Sequence, residues 1–484
     1  MPSPTLISDR NCWRIETADR AAVIIDAEDY FRAARRAMMN ARKRIMLLGW
    51  DFDARVHLYD HEQDDDGPLA VGAYLHWLVQ RRPELHIHVL RWDMGALTSL
   101  FRGTTLFEAF RWWRHPRLHW MLDGNHPAGA AQHQKILSID GEMAFCGGID
   151  ITNGRWDSRQ HADEAPRRLQ PDNMDAGPWH DITTALEGPV ARALDDFCRM
   201  RWEKAGGKAL APVTSGVSCW PMGLDASFQK VAIAIARTQA RMPDQAGIFE
   251  IEALYVDLIA NAQHFIYAES QYFTSYKIAK AIARRLSEPD GPEIVVVMPE
   301  TSEGWLESKV MDTARARLVS ILRRHDKYRR FRLFHALSEG GHPIYIHAKI
   351  MIVDDRILRV GSSNMNNRSL GLDTECDLAL DADHAKTPAA TAGLCKAIAH
   401  IRNDLLAEHL GCHIEQIGAT LKGCGSLIGT IETIRNEGRT LRDYRLPDLN
   451  MAENWLSERE ILDPERPRDL FEAPRKRRLF RFRR

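Results

Sequence analysis

The sequence predicts an α/β protein made of two similar αβα lobes related by a pseudo-two-fold, with one site where the lobes meet. Three observations predict it. The chain repeats a motif: HQKILSIDGEMAFCGGID runs from His133 to Asp150, HAKIMIVDDRILRVGSSN from His347 to Asn364, and both read H-x-K-x4-D-x6-G. The echo reaches upstream, where NARKRIMLLGWDF (40–52) aligns with NAQHFIYAESQYF (261–273), each a helix end running into an apolar strand. After each comes a helical stretch and another apolar strand, LHIHVLRWD and EIVVVMPE. A repeat of about 200 residues of alternating helix and strand is too long for a solenoid and fits a duplicated α/β lobe.

The first lobe is assigned to residues 1–210 and the second to 211–440, with a charged extension over 441–484. The boundary is set by KAGGKALAPVTSGVSCWPMGL (204–224), rich in Gly, Pro and Ser. Residues 157–177, polar and without period, are expected to form a loop between two site segments. Within each motif the pattern is strand, turn, strand. Asp140-Gly141 is a favoured two-residue hairpin signal, and Asp354-Asp355 takes the same place with a poorer turn residue. Asp140 and Asp354 are therefore expected at hairpin turns, as turn caps or buried ion pairs, although both belong to the repeated catalytic pattern.

Residues two apart on a strand face the same way, so His133 projects with Lys135 and His347 with Lys349. A core rarely accommodates such a pair without a partner. If the pseudo-two-fold brings the strand heads together, two imidazoles and two ammonium groups surround one pocket. Lysines supply fixed positive charge for phosphoryl oxygens. One histidine can attack phosphorus and form a covalent phospho-enzyme, while the other protonates the leaving oxygen and then activates water or an alcohol. With cationic side chains doing the Lewis-acid work, no metal and no cofactor are expected.

Composition narrows the partners. Lys plus Arg number 65 against 66 Asp plus Glu, so no strong attraction to a polyanion is expected and no specific nucleic-acid partner. The eight cysteines show no CxxC spacing, which suits a reducing compartment better than a disulfide framework or a zinc site. The first twenty residues lack a basic stretch followed by an apolar one, and no apolar run approaches a membrane span. A cytoplasmic or peripheral membrane location is expected, export without a cleavable signal being compatible, and a monomer is expected. The last eleven residues, PRKRRLFRFRR (474–484), interleave basic and apolar side chains, a pattern that could bind an anionic membrane surface, stay a solvated tail or bind nucleic acid non-specifically.

The paired motifs resemble the HKD motifs, H-x-K-x4-D-x6-G-S-x-N, of the phospholipase D superfamily. The second copy fits in full, with His347, Lys349, Asp354, Gly361, Ser362 and Asn364. The first departs at Gly148, where the motif has Ser, and at Asp150, where it has Asn. GGIDITNGRWD (147–157) and PWHDI (178–182) also resemble stretches of phospholipase D enzymes proper. The resemblance implies a two-lobed fold with one shared site. It also implies hydrolysis of glycerophospholipids to phosphatidate, or transfer of the phosphatidyl group to another alcohol, at a membrane surface. Cardiolipin synthase-like transfer is the alternative, and a nuclease or other phosphodiesterase a less favoured one.

By the resemblance His133 is the nucleophile and His347 the general acid and base, an assignment that a nearly symmetric site could reverse. Lys135, Lys349 and Asn364 would hold phosphoryl oxygens. Asp150 should point away from the phosphate or pair with a cation. Asp181 and Glu375 would orient the histidines, one per motif, with His180 an alternative to Asp181. Trp156 and Trp179 would wall the headgroup pocket.

Overall fold

The structure, a computed structural model, describes residues 5–58, 65–93, 115–169, 171, 176–302 and 305–446. The basic tail at 474–484 and part of the polar loop after Asp157 lie outside the described residues. The first half holds strands β1 (Arg14–Ile25), β2 (Arg44–Gly49), β3 (His86–Trp92), β4 (Leu118–Asp123), β5 (Lys135–Ile139), β6 (Met143–Gly147), β7 (Trp179–His180) and β8 (Ile182–Glu187). The second holds β9 (Phe228–Gln239), β10 (Ile248–Phe249), β11 (Phe265–Glu269), β12 (Glu293–Val297) and β13 (Phe331–Leu337). It continues with β14 (Pro343–Ile346), β15 (Ile350–Val353), β16 (Ile357–Gly361), β17 (Glu375–Asp381) and β18 (Thr440–Asp443).

The ladder is close to a palindrome. From its outer edge the first half runs β4-β3-β2-β5-β6-β8-β1. The second runs β13-β12-β11-β15-β16-β17-β9. The first three strands of each series are parallel and the rest antiparallel, so each of the seven has a counterpart of the same sense, and in the second half β14 and β18 also pair with β13. The halves join where β1 pairs antiparallel with β9, from Arg14 opposite Ile235 to Ala21 opposite Phe228. Two lobes thus share one continuous ladder, and the lobe that the sequence divides after 210 is bonded to its partner by backbone.

Strand alternation explains the layers. Ile45 and Leu47 face a core shared with the helices Ala27–Asn40 and Val71–Arg81, while Met46 and Leu48 face the opposite side with the helix Pro189–Lys204. In the second half Ile266 and Ala268 face the helices Glu250–Asn261 and Tyr276–Leu286, and Tyr267 faces the other way. Strands covered on both faces are the reason these segments read as unbroken apolar runs. Burying one such Ile or Val contributes roughly 1.5–3 kcal/mol. The long helix Pro388–Leu410 begins where Thr387 Oγ1 accepts the Ala390 N–H and Pro388 sets the first turn; it ends at Gly411, in the left-handed region at φ 59°.

Asp140 and Asp354 lie in the hairpin turns, away from the strand heads that carry the histidines. Each is itself in the left-handed region, at φ 55° and φ 54°, followed by Gly141 at 65° and Asp355 at 51°. Two successive residues of positive φ are what a tight type I′ hairpin requires. The Asp140 carboxylate accepts the backbone N–H groups of Arg42, Lys43 and Arg44, each at 2.8 Å. Asp354 does the same for Gln263, His264 and Phe265, at 2.6 to 2.8 Å. Each aspartate ties its hairpin to the entry of the neighbouring strand, β2 or β11, and so holds the register of the strand that leads to the site.

Removing either carboxylate strands three backbone donors. Asp140→Ala is expected to lower stability by about 3 kcal/mol, read as a lower urea midpoint. The folded remainder keeps its turnover per molecule, and a variant that stays stable but loses turnover would place Asp140 in the chemistry instead.

Candidate active site

The site forms where the heads of β5 and β15 approach the entries to β8 and β17. His133 lies two residues before β5 begins, and His347 and Lys349 lie in the link between β14 and β15. The motif histidines are therefore at strand heads, outside the ladder, where their backbone is free to pair across the two halves. His133 N–H donates to Thr374 O at 2.9 Å, and His347 N–H to His180 O at 2.7 Å. Thr374 and His180 immediately precede Glu375 and Asp181. This backbone pairing sets each histidine beside a carboxylate that the other half supplies.

The side chains complete the crossing. His133 Nδ1 is 3.0 Å from both carboxylate oxygens of Glu375, and His347 Nδ1 is 2.6 Å from Asp181 Oδ2. The carboxylates serve one histidine each, but exchanged between the motifs: Asp181 follows the first motif and orients the second histidine. Glu375 also accepts from the Ser362 and Ser369 hydroxyls, and Asp181 Oδ1 accepts the Ile182 N–H at 2.8 Å. With each Nδ1–H given to a carboxylate, Nε2 keeps its lone pair and is the reactive nitrogen.

The departures in the first motif have a steric and an electrostatic reason. A Cβ added at Gly148 would lie 2.2 Å from Asp181 Oδ1, so the short carboxylate occupies the space that a serine would need. In the second half the longer Glu375 leaves room for Ser362, whose hydroxyl it accepts. Asp150 pairs with Lys135, Oδ2 to Nζ 3.1 Å, and accepts the Trp50 N–H at 3.0 Å. Its counterpart Asn364 is neutral and donates to Gln271 Oε1 at 3.5 Å. Lys349 makes no ion pair among the described residues; it donates to the carbonyl of its own His347, as Lys135 does to that of His133 at 2.8 Å. The two lysines are thus unequal, one neutralised by a carboxylate and one awaiting an anion.

Burial dominates the electrostatics. It pushes both imidazoles well below the usual histidine range, helped by Lys135 and Lys349. It raises the Asp181 and Glu375 carboxyls to about 7 against the pull of the two lysines. Lys349, fully buried, is lowered to about 7. The negative charge of a phosphate would bring the two imidazoles and Lys349 back up towards their usual ranges, and would raise the two carboxyls further.

Trp179 lies over this site. Its ring stacks on Tyr345 at 4.7 Å and is 5.0 Å from the His347 ring. Arg155 sits 4.2 Å above the same indole and acts on both His347 and Lys349. Trp156 instead packs against the first-half helical core, with Arg167 over its ring, and belongs to the scaffold. His180, the alternative to Asp181, points away from the motif histidines into a separate buried cluster with Asp26, Glu269 and Glu408. Arg155 is a site residue that sequence reasoning missed; its only signal was an arginine one position before Trp156 in a segment already quoted.

Residues 255–391 match the family described as cardiolipin synthase, PLD-like domain. Phospholipase D A of Dictyostelium discoideum is 24% identical over 471 residues, covering 80% of this chain and 35% of that protein. Phospholipase D alpha 1 of Cynara cardunculus is 23% identical over 514 residues, covering 78% of this chain and 63% of that protein. These matches support a place in the phospholipase D superfamily. The chain spans between a third and two thirds of the length of these curated relatives. Among solved structures, phosphatidylserine synthase of Haemophilus influenzae superposes with a TM-score of 0.53 at 13% identity, over 80% of this chain and 88% of that one, a likeness of fold. Among the described residues no helix is long and apolar enough to cross a membrane.

Two outcomes follow from the geometry. Gly148→Ser, which brings the first motif closer to the second, is expected to displace Asp181 and cut kcat by roughly 100-fold or more without unfolding the protein. Turnover and thermal midpoint measured together check it, and a fully active variant would remove Asp181 from the mechanism. The pH dependence has a definite sign. Lys349 is charged below its lowered value and neutral above it, so KM for a phosphodiester is expected to rise as pH passes upward through about 7. The neutral imidazoles persist on the acid side. A KM that stays flat between about pH 6 and about pH 9 rejects Lys349 as the titrating phosphate ligand.

Proposed function

We propose that the chain is a phospholipase D-type enzyme that hydrolyses glycerophospholipids to phosphatidate, or transfers the phosphatidyl group to an alcohol, through a covalent phosphohistidine. The observation that carries the reading is the crossed pair of imidazole–carboxylate contacts, which leaves two Nε2 atoms beside two buried lysines that act on both imidazoles. His133 is the more open of the two, its side chain 15% exposed against 7% for His347, and suits the attacking role.

The steps balance without an added reactant. The His133 Nε2 lone pair forms a bond to phosphorus as the bond from phosphorus to the headgroup oxygen breaks. His347, neutral in the empty site, takes a proton on Nε2 as the charge of the bound phosphodiester raises its imidazole, and gives that proton to the headgroup oxygen, and the headgroup alcohol departs. Water or an alcohol then attacks phosphorus and passes its proton to His347, while the P–N electron pair returns to His133. Lys349 and Arg155 supply positive charge for the non-bridging oxygens, and Lys135 does so to the extent that Asp150 releases it. Trp179 and Tyr345 form an aromatic wall above His347, suited to a headgroup.

A cardiolipin synthase-like transfer is the second reading, favoured by the description of the family that residues 255–391 match. It uses the same steps with phosphatidylglycerol as the incoming alcohol. The substrate surface is a membrane, and its contact with the protein belongs to this proposal.

The purified chain should be given phosphatidylcholine, phosphatidylethanolamine, phosphatidylglycerol and cardiolipin, each with and without ethanol. Phosphatidate and, with ethanol, phosphatidylethanol are expected. His133→Ala and His347→Ala are each expected to lower turnover roughly 1,000-fold or more. An alkaline quench should trap a phosphatidyl adduct that disappears in His133→Ala. An adduct on His347 would exchange the two roles; cleavage of DNA or RNA with every lipid untouched would sink the lipid reading.

A further inference from the structure

A second cluster of titratable groups lies beside the histidine pair and takes no part in its chemistry. His161, His180 and Asp26 come from the first half and Glu408 from the helix Pro388–Leu410 of the second. None of the four side chains is more than 2% exposed. Each is held on its outer side. His161 Nδ1 donates to Asp157 Oδ2 at 2.9 Å, and His180 Nε2 donates to Glu269 Oε2 at 2.8 Å. Glu408 Oε2 accepts from Arg159 Nε at 2.6 Å, and Asp26 Oδ1 accepts the Asp181 N–H at 3.1 Å.

What remains turns inward. His180 Nδ1 is 2.8 Å from Glu408 Oε1 and 3.2 Å from Asp26 Oδ1. His161 Nε2 is 3.0 Å from Glu408 Oε1 and 3.5 Å from Asp26 Oδ2. An imidazole that gives its outer N–H to a carboxylate keeps a lone pair on its inner nitrogen. The four inward groups are then all acceptors, in a place that water does not reach. Acceptors packed against one another in a dry interior are strongly unfavourable unless positive charge sits among them. Asp26 Oδ2 and His180 Nδ1 are buried and make no hydrogen bond.

Arg439 Nη2, 3.9 Å from Glu408 Oε1, supplies part of that charge, and two protons or one divalent cation would supply the rest. The carboxylates around His161 raise it to about 9, which makes protons the rival filling. The geometry favours a cation. His161 Nε2 meets Glu408 Oε1 in a hydrogen bond, but His180 Nδ1 makes none with either neighbouring oxygen despite the 2.8 Å separation. Nitrogen and oxygen ligands bound tetrahedrally at about 2.0–2.1 Å stand about 3.3 Å from one another, inside the range of the four separations. An outer carboxylate on each imidazole is the arrangement that fixes the tautomer of a metal-binding histidine. The donor set, two imidazoles and two carboxylates, suits zinc and its neighbours better than calcium or magnesium.

We propose that Asp26, His161, His180 and Glu408 hold one divalent transition cation of the zinc class, as a structural clasp between the halves. The clasp is a positioning device. Asp26 exchanges backbone and side-chain contacts with Asp181, and the His180 carbonyl accepts the His347 N–H, so the cation fixes the Asp181–His347 pair from behind. Asp26 adopts φ 66° and ψ 156°, a region that suits glycine, and the cation is what rewards an aspartate for standing there. The site stands whatever substrate the motif histidines take.

The test uses the full chain, purified through a tag that binds no metal, with zinc in the growth medium. Elemental analysis by plasma mass spectrometry should find one equivalent of zinc or a neighbouring transition metal per chain. Asp26→Asn and His161→Gln should each lower that content at least tenfold, while His133→Ala retains it. Stripping with dipicolinate should lower the thermal midpoint, and zinc should restore it. Metal-free wild type with an unchanged midpoint after stripping overturns the proposal and leaves two protons in the cluster. Should the variants prove insoluble, the metal content of the wild type and anomalous scattering at the zinc edge decide alone.

Discussion

The structure depends on one constraint: each motif histidine is oriented by a carboxylate from the opposite half. His133 needs Glu375 and His347 needs Asp181, and the flanking backbone, His133 to Thr374 and His347 to His180, is bonded in the same crossed sense. Neither half can present a working imidazole alone. The continuous ladder through β1 and β9, the matched strand order on either side and the aspartate-capped hairpins all keep two strand heads in register with two carboxylates. Duplication of a lobe places the copies of a motif together; the crossing makes them interdependent.

Symmetry then gives way where chemistry needs two different partners. Asp181 is one methylene shorter than Glu375, and the residue behind it must be Gly148 where the other half carries Ser362. Asp150 neutralises Lys135, whereas among the described residues Lys349, beside the neutral Asn364, makes no ion pair, and Arg155 adds charge beside His347. A phosphodiester entering as proposed would meet two unequal lysines. In the proposed mechanism an attacking imidazole and a proton-donating one must differ in environment, and these few departures from symmetry would supply the difference.

The same logic extends behind the site. The His161–His180–Asp26–Glu408 cluster spans both halves and touches the backbone of Asp181 and His347, so the reactive pair is backed by buried polar groups on one side and aromatic rings on the other. Buried polar networks of this kind specify geometry more than they stabilise it. Their placement explains why His180, a plausible orienting residue from its neighbourhood in sequence, faces elsewhere: successive residues at the entry to β8 point to opposite sides, and Asp181 takes the side of His347.

The sequence by itself determined the duplicated α/β lobe, the pairing of His133 and Lys135 with His347 and Lys349, and the hairpin places of Asp140 and Asp354. Those features are local patterns: a two-residue strand period, an Asp-Gly turn, a repeated spacing. Tertiary structure alone decided which carboxylate serves which histidine, that Asp150 answers Lys135, that Trp179 covers the site while Trp156 joins the core, and that Arg155 reaches over it. It alone gathered residues from positions 26, 161, 180 and 408 into one cluster. The physical reason is that periodicity reports the face on which a side chain lies, whereas partnership depends on how two faces are brought together, and here the antiparallel join of β1 to β9 carries each motif to the other's carboxylate.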